Sequence, residues 1–366
     1  MRPLKYRLLS LILLCCSNFL YSQDYRLSKT YSQTYSLLED KEVSIINKYG
    51  DINVDVWDID SVRIEVIVEV SSNKESRAEN LLASVDIDFK NNVFYCSAQT
   101  ELIGKSEFWK DISYQANSIL NKNNNVYIKY QVFLPNNANL VIKNKYGNVF
   151  LYDYYGKLNI DMAYGDLKAN YISGKTILDV SYADVYIEKI NQVLFNARFS
   201  EAEIAQIGFM EANTKSSKFY FDKIGELSIE SSHDKYNLEE VNILKGKADF
   251  TFTKVDNLIE IVDLKIKYGD LRLRKIDPSL RSFKVNAHKS DIHLSLDYEG
   301  SYLLNIAAVA PPQIQYPIGE RKKAKINIEE EGDLKKIEIS WLSDDKETGA
   351  PLFFNAEEGN LYMKIK

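Results

Sequence analysis

Asn47-Lys48-Tyr49-Gly50-Asp51-Ile52 returns as Asn144-Lys145-Tyr146-Gly147-Asn148-Val149 and again as Ala163-Tyr164-Gly165-Asp166-Leu167. Looser copies follow at Ser181-Tyr182-Ala183-Asp184-Val185, Arg198-Phe199-Ser200-Glu201-Ala202 and Lys215-Ser216-Ser217-Lys218-Phe219. Later ones stand at Ser232-His233-Asp234-Lys235-Tyr236, Lys267-Tyr268-Gly269-Asp270-Leu271 and His288-Lys289-Ser290-Asp291-Ile292. Counted at the second place of the phrase, the steps from Tyr146 to Tyr164 to Tyr182 are 18 residues, and those onward to Phe199, Ser216 and His233 are 17. A period this short and this constant predicts a stack of coils, each covered by its neighbours.

The segments between phrases alternate apolar and polar residues, the mark of a half-buried strand. Two strands of about five or six residues and two turns of about three fill one period. Along one coil Leu158, Ile160 and Met162 are expected to point inward, then Leu167, Ala169 and Ile172 before a second turn at Ser173-Gly174. The next coil is expected to use Ile177 and Val180, then Val185, Ile187 and Ile190. Coils stacked roughly 4.8 Å apart would make ten of them a rod roughly 50 Å long.

The expected fold class is therefore all-β, a parallel β-solenoid of 17–18-residue coils with an irregular N-terminal β region carrying one short helix. The composition agrees: 25 Tyr against 7 Pro and 15 Gly in 366 residues, with Val and Ile crowding the alternating runs. The expected division is 1–22 signal peptide, 23–137 N-terminal β region with a helix and a long loop, 138–305 regular coils, and 306–366 irregular C-terminal coil and cap.

Within the N-terminal region, 43–70 reads as a hairpin, with Ile52, Val54 and Val56 and then Val62, Ile64, Val66 and Val68 facing inward. Residues 74–84 change to helix formers, with Asn73 available as a cap and Ala78, Leu81 and Leu82 on one side. Residues 103–125 lose periodicity and read as a surface loop with a short helix around 114–120. Near the other end, Gly359-Asn360-Leu361-Tyr362-Met363 echoes half of the phrase, and the closing segments are expected to block an otherwise unpaired edge.

Arg2, Lys5 and Arg7 ahead of the apolar run Leu8 to Leu14, closing near Ser22, have the layout of a secretory signal. Cys15 and Cys16 raise a lipid anchor, but Leu14 and a second cysteine stand where a small residue is expected. Removing the three basic residues makes the net charge of −6 more negative still, and no basic cluster remains to follow a phosphate backbone. No later apolar run reaches the length of a membrane-crossing helix. Only Cys96 survives signal removal, so packing and not a disulfide must hold the fold.

The glycines Gly50, Gly147, Gly165 and Gly269 are expected to take positive φ in tight turns, with the next Asp or Asn bonding local amides. Tyr146, Tyr164 and Tyr182 should stack as a ladder of rings, and Asp166, Asp184 and Glu201 as a column of carboxylates. These six form the candidate ligand surface. A calcium ion could use such carboxylates, but Lys218 and Lys235 continue the column, and ion sites need converging oxygens. No metal and no cofactor is expected. His233, His288 and His293 lack ligand spacing or a neighbouring nucleophile motif, and there is no phosphate loop or nucleophile elbow.

With its repeated Tyr-Gly-Asp phrases, its leading signal and the link Pro135-Asn136-Asn137-Ala138-Asn139-Leu140, the chain resembles the putative-adhesin family of secreted β-strand-repeat proteins over about residues 40–365. That resemblance implies a parallel β-solenoid without catalytic residues to transfer. Ala183, Ser200 and Ser217 depart from the family's glycine. The leading expectation is a non-catalytic secreted or cell-envelope scaffold, adhesin-like, partnered by an envelope protein or glycan and not by nucleic acid. Its location would be periplasm, outer cell surface or medium. The alternative is a solenoid that binds or cleaves carbohydrate with the aromatic and acidic columns.

Overall fold

The computed structural model describes residues 25–37, 40–104, 124–296, 302–309, 313–315, 324–331, 334–341 and 350–365. The proposed signal, the short helix around 114–120 and Pro311-Pro312 lie outside them. The described residues form two compact units. The smaller takes 25–30, 67–86, 101–104 and 124–127 and holds the helix Glu75–Ala83. Ala78 and Leu81 are buried there and Leu82 is half-buried. Lys74, and not Asn73, occupies the cap position and makes no side-chain capping bond.

The larger unit is a parallel β-solenoid. Each rung contains two strands that meet at a corner, and successive rungs pair in parallel: Val185 lies on Ala202, Ala202 on Phe219, Phe219 on Tyr236 and Tyr236 on Thr253. The inward column two residues on runs through Leu151, Ala169, Ile187, Ile204, Phe221, Leu238 and Val255, all buried. Sizes interlock along the stack. Phe219 packs at 4.5 Å on the Tyr236 ring and at 6.0 Å on Phe195, while Ala202 gives room on the opposite side.

The inward residues expected from the alternation are buried as read, with one exception in the coils. Ile177 points outward and half-exposed, and Thr176 and Leu178 take the inner places. From Ile172, even steps through the second turn arrive at 174, 176 and 178. Thr176 tolerates burial because its hydroxyl donates to the Gly174 carbonyl at 2.9 Å. In the N-terminal part Val56, expected inward, is also exposed.

The 18-residue and 17-residue periods differ in that second turn. Three residues separate buried Ile172 from buried Thr176, whereas two separate Ile190 from Val193. The longer form returns between Leu258 and Val262, where the register against the preceding rung shifts between Val241 and Ile243.

Corners correct the expectation about glycine. The left-handed residue is the one before it, with φ of 61° at Tyr146 and Tyr164, 53° at Tyr182 and 52° at Phe199. Of the four glycines in the phrases only Gly50 has positive φ, 159°; Gly147, Gly165 and Gly269 do not. Gly147 and Gly165 are glycines because a Cβ on Gly147 would strike the Gly50 carbonyl, and one on Gly165 the Gly147 carbonyl, one rung below. In these corners the next residue carries the bond between rungs: Asn148 N–H donates to Asp51 Oδ1 and Asp166 N–H to Asn148 Oδ1, each at 2.8 Å.

Where glycine is missing the bond moves back by one position. The amides of Ala183 and Ser200 donate to Ser200 Oγ and Ser217 Oγ at 3.2 Å, and the Ser217 amide to Asp234 Oδ1 at 2.7 Å. The departures from glycine are thus a second corner type with its own ladder of hydrogen bonds. Either corner is tight enough that extended chain runs from Leu158 to Arg198 through Tyr164 and Tyr182.

The first phrase, read as part of a hairpin, is a corner of the same kind. Glu42–Lys48 pairs in parallel with Asn139–Lys145 on one side and with Tyr95–Leu102 on the other, and Ile52–Val56 likewise with Val149–Leu151 and Asn124–Leu134. At the far end, Ala350–Ile365 pairs in parallel with Ser282–Leu296 and also with Tyr302–Val309 and Gln313–Gln315. The strands Ala324–Glu331 and Leu334–Trp341 close that end antiparallel.

Candidate functional site

Because every corner presents the same backbone, side chains at equal distance from it line up in columns. At the corner itself the rings stack: Tyr49 on Tyr146 at 5.4 Å, Tyr146 on Tyr164 at 4.9 Å, Tyr164 on Tyr182 and Tyr182 on Phe199 at 5.0 Å. Their planes lie within 11° of parallel. A bulky residue in the left-handed region costs about 1–2 kcal/mol, and a stacked pair returns about 0.5–1.5 kcal/mol. The ladder therefore helps to hold the corners it stands on. Each inner ring has both faces covered by neighbours, so Tyr146, Tyr164 and Tyr182 offer the solvent their rims.

Two positions beyond the corners stand the carboxylates. Asp184 is in register with Glu201, and Asp166 is one rung below. Lys168 lies 3.7 Å from Asp166, and Lys218 lies 3.6 Å from Glu201. Partial burial, followed by the neighbouring charges of Asp166 and Glu201, raises the Asp184 carboxyl above its ordinary range. A group raised in this way favours the fold most when protonated, and that contribution is lost as pH rises through the raised value. Replacing it removes a like-charge contact. Asp184→Asn is therefore expected to raise stability at pH 7, by less than about 1 kcal/mol since the group is exposed. The gain should close toward about pH 4; urea unfolding at the two pH values checks it.

Four positions beyond the corners a further column begins with Phe150, Lys168, Tyr186, Glu203 and Tyr220. With Tyr152, Glu188 and Asp222 these residues line a depression of about 580 Å³ on the outer face of the rungs. Tyr152 is 60% exposed, Tyr186 38% and Tyr220 37%, and unlike the inner rings of the ladder none of them has another ring stacked on its face among the described residues. The Lys168 ammonium stands 5.5 Å over the Tyr186 ring. Desolvation, then the carboxylates of Asp184, Asp166, Glu203 and Glu201, push the Tyr186 phenol upward. The site thus joins aromatic surface to negative potential, a combination suited to hydroxyl-rich or cationic groups.

None of the residues lining this depression is among the six expected from the phrases. Their identities vary from rung to rung, so only a count of four from each corner would have found them. A step of 17 from His233 reaches a corner the phrases hid, Phe250, which is left-handed and stacks on His233 at 4.8 Å and on Tyr268 at 4.9 Å. Of the histidines, His233 is a corner residue, and His293 stacks on Tyr362 at 4.5 Å. Among the described residues no group of three His, Cys, Asp or Glu side chains converges as a metal site would require.

Rungs in parallel register with ordered outer columns define the class: a β-solenoid with a built lateral face. No family model and no curated protein matches the chain. It is similar to solved structures, among them one described as a "putative adhesin" from Parabacteroides merdae ATCC 43184, at 14% identity over 72% of this chain and 95% of that one, with a TM-score of 0.34. Another "putative adhesin", from Parabacteroides distasonis ATCC 8503, matches at 13% identity over 73% and 97%, TM-score 0.33. A "putative lipid binding protein" from the same strain matches at 11% identity over 70% and 94%, TM-score 0.33.

Proposed function

We propose that this protein is a non-catalytic scaffold of the cell envelope, adhesin-like, which holds a partner on the outer face of rungs 150–222. The observation that carries the reading is the depression itself, where three exposed tyrosines stand beside the carboxylates of Glu188, Glu203 and Asp222, and Tyr186, Glu203 and Tyr220 lie in parallel register on successive rungs. Contacts repeated along such a face are ordered before the partner arrives, which lowers the cost of binding. An envelope protein or a glycan fits the mixture of aromatic surface and hydrogen-bond acceptors. No helix among the described residues is long and apolar enough to cross a membrane, and export is part of the proposal.

Beads coated with purified protein test it, washed over a glycan array and over immobilised envelope proteins of the parent cell. The double variant Tyr186→Ala, Tyr220→Ala should keep its circular dichroism and lose about tenfold or more of bead retention, the equivalent of about 1.4 kcal/mol. Retention unchanged in the variant, or new reducing ends released from a bound glycan, would overturn the reading. Protease treatment of intact cells should degrade the protein.

A further inference from the structure

The ring ladder is interrupted once. Five rings run from Tyr49 to Phe199 and three more from His233 to Tyr268, and between them the corner residue is Ser216. The rung itself is intact: Ser216 is left-handed with φ 55°, its amide donates to the Ser232 carbonyl at 3.0 Å, and the Phe199 amide donates to the Lys215 carbonyl at 3.1 Å. Only a side chain is missing from the column. Two strand spacings separate the flanking rings, about 10 Å, so a ring placed midway would sit about 5 Å from each. That is the ladder's own interval, 5.0 Å from Tyr182 to Phe199 and 4.8 Å from His233 to Phe250.

Both flanking rings present themselves to this gap. Phe199 is 49% exposed, and among the described residues no second ring or cation covers the face turned from Tyr182. His233 is exposed and oriented by a bond of 2.9 Å between Nδ1 and Ser232 Oγ, with its other face on Phe250. The surrounding charge is positive. Exposed Arg198 and Lys215 precede the corners in register with one another, and exposed Lys218 and Lys235 follow them. Glu201, paired with Lys218 at 3.6 Å, offsets one of the four, and Asp234, buried beside His233 with its Oδ1 on the Ser217 amide, offsets a second. Asp249 stands one rung further on.

We propose that the gap at Ser216 is a binding slot for a planar aromatic ring bearing an anionic group, which completes the stack between Phe199 and His233 while the basic rim meets its charge. The slot lies at the corner and is separate from the depression on the outer face. It needs no reaction, only stacking on two faces and charge complementarity.

The probe is 2-naphthoate, titrated by its own fluorescence anisotropy against the whole protein, with cyclohexanecarboxylate as a competitor of equal charge and no aromatic face. Naphthoate is expected to bind about tenfold or more tightly than the competitor. Ser216→Tyr, which fills the gap with the residue used at other corners, should reduce naphthoate binding about tenfold or more, as should Phe199→Leu. Tyr152→Ala, in the outer depression, should leave it unchanged. Circular dichroism of each variant separates loss of the slot from loss of the fold. The proposal is overturned if the two carboxylates bind equally, if folded Ser216→Tyr binds naphthoate as wild type does, or if Tyr152→Ala weakens it as much as Phe199→Leu.

Discussion

Leu178→Asp is expected to unfold the rungs around it, while Ile177→Asp, one residue away, leaves the protein folded. Leu178 is fully buried in the inner column, and Ile177 faces outward. The first change gives up the burial of a leucine, about 1.5–3 kcal/mol, and sets an unpaired carboxylate in an apolar interior, which costs several kcal/mol more. A loss of about 5 kcal/mol or more follows, comparable to the whole stability of many domains. The second change places its charge in water, where surface substitutions act within about 1 kcal/mol. Urea midpoints of the pair decide the matter. Equal destabilisation would mean that the alternation through Ser173-Gly174-Lys175 has been misassigned.

The second large effect is expected at Asp234, which is 4% exposed yet occupies a corner. Its Oδ1 accepts the Ser217 amide at 2.7 Å, and its Oδ2 accepts the hydroxyls of Thr214 and Ser231, both at 2.7 Å, and the Ser232 amide at 3.1 Å. Asp234→Ala leaves two amides and two hydroxyls buried without that acceptor, a loss of about 3–5 kcal/mol. Asp234→Asn keeps one carbonyl oxygen and should lose less. In a stacked array the damage is local, so hydrogen exchange should quicken first at the amides of Ser217 and Ser232. Unchanged protection there in Asp234→Ala would show that the carboxylate does not hold the corner.

Much of the solenoid could be read from the chain because its period is carried by a phrase of fixed spelling. Tyr146, Tyr164 and Tyr182 stack as the spacing requires. The glycine is not legible locally for a physical reason: its role depends on the carbonyl one rung below, 18 residues away for Gly165 and 97 for Gly147, which no local turn preference encodes. Ile177 reads as inward because of its apolar character, while the parity of the strand turns it outward. Thr176 holds the inner place through a hydrogen bond visible only in the fold. The lateral depression is not legible in the sequence because its column is spelled Phe, Lys, Tyr, Glu, Tyr. Position repeats there, and chemistry does not.

The order in which segments stack has a consequence for biosynthesis. In the middle of the array every strand lies on one made about 17 residues earlier, as Glu201 does on Asp184, so assembly can follow the emerging chain closely. At the two ends the partners are remote: the contact from Asn148 to Asp51 spans 97 positions, and that from Asn360 to Asp291 spans 69. Closing loops of that size is slow compared with neighbouring additions. The interior is thus the natural seed, and the last sixteen described residues, Ala350–Ile365, must slip between partners synthesised before them. That edge of the array cannot close until Ala350–Ile365 has been synthesised.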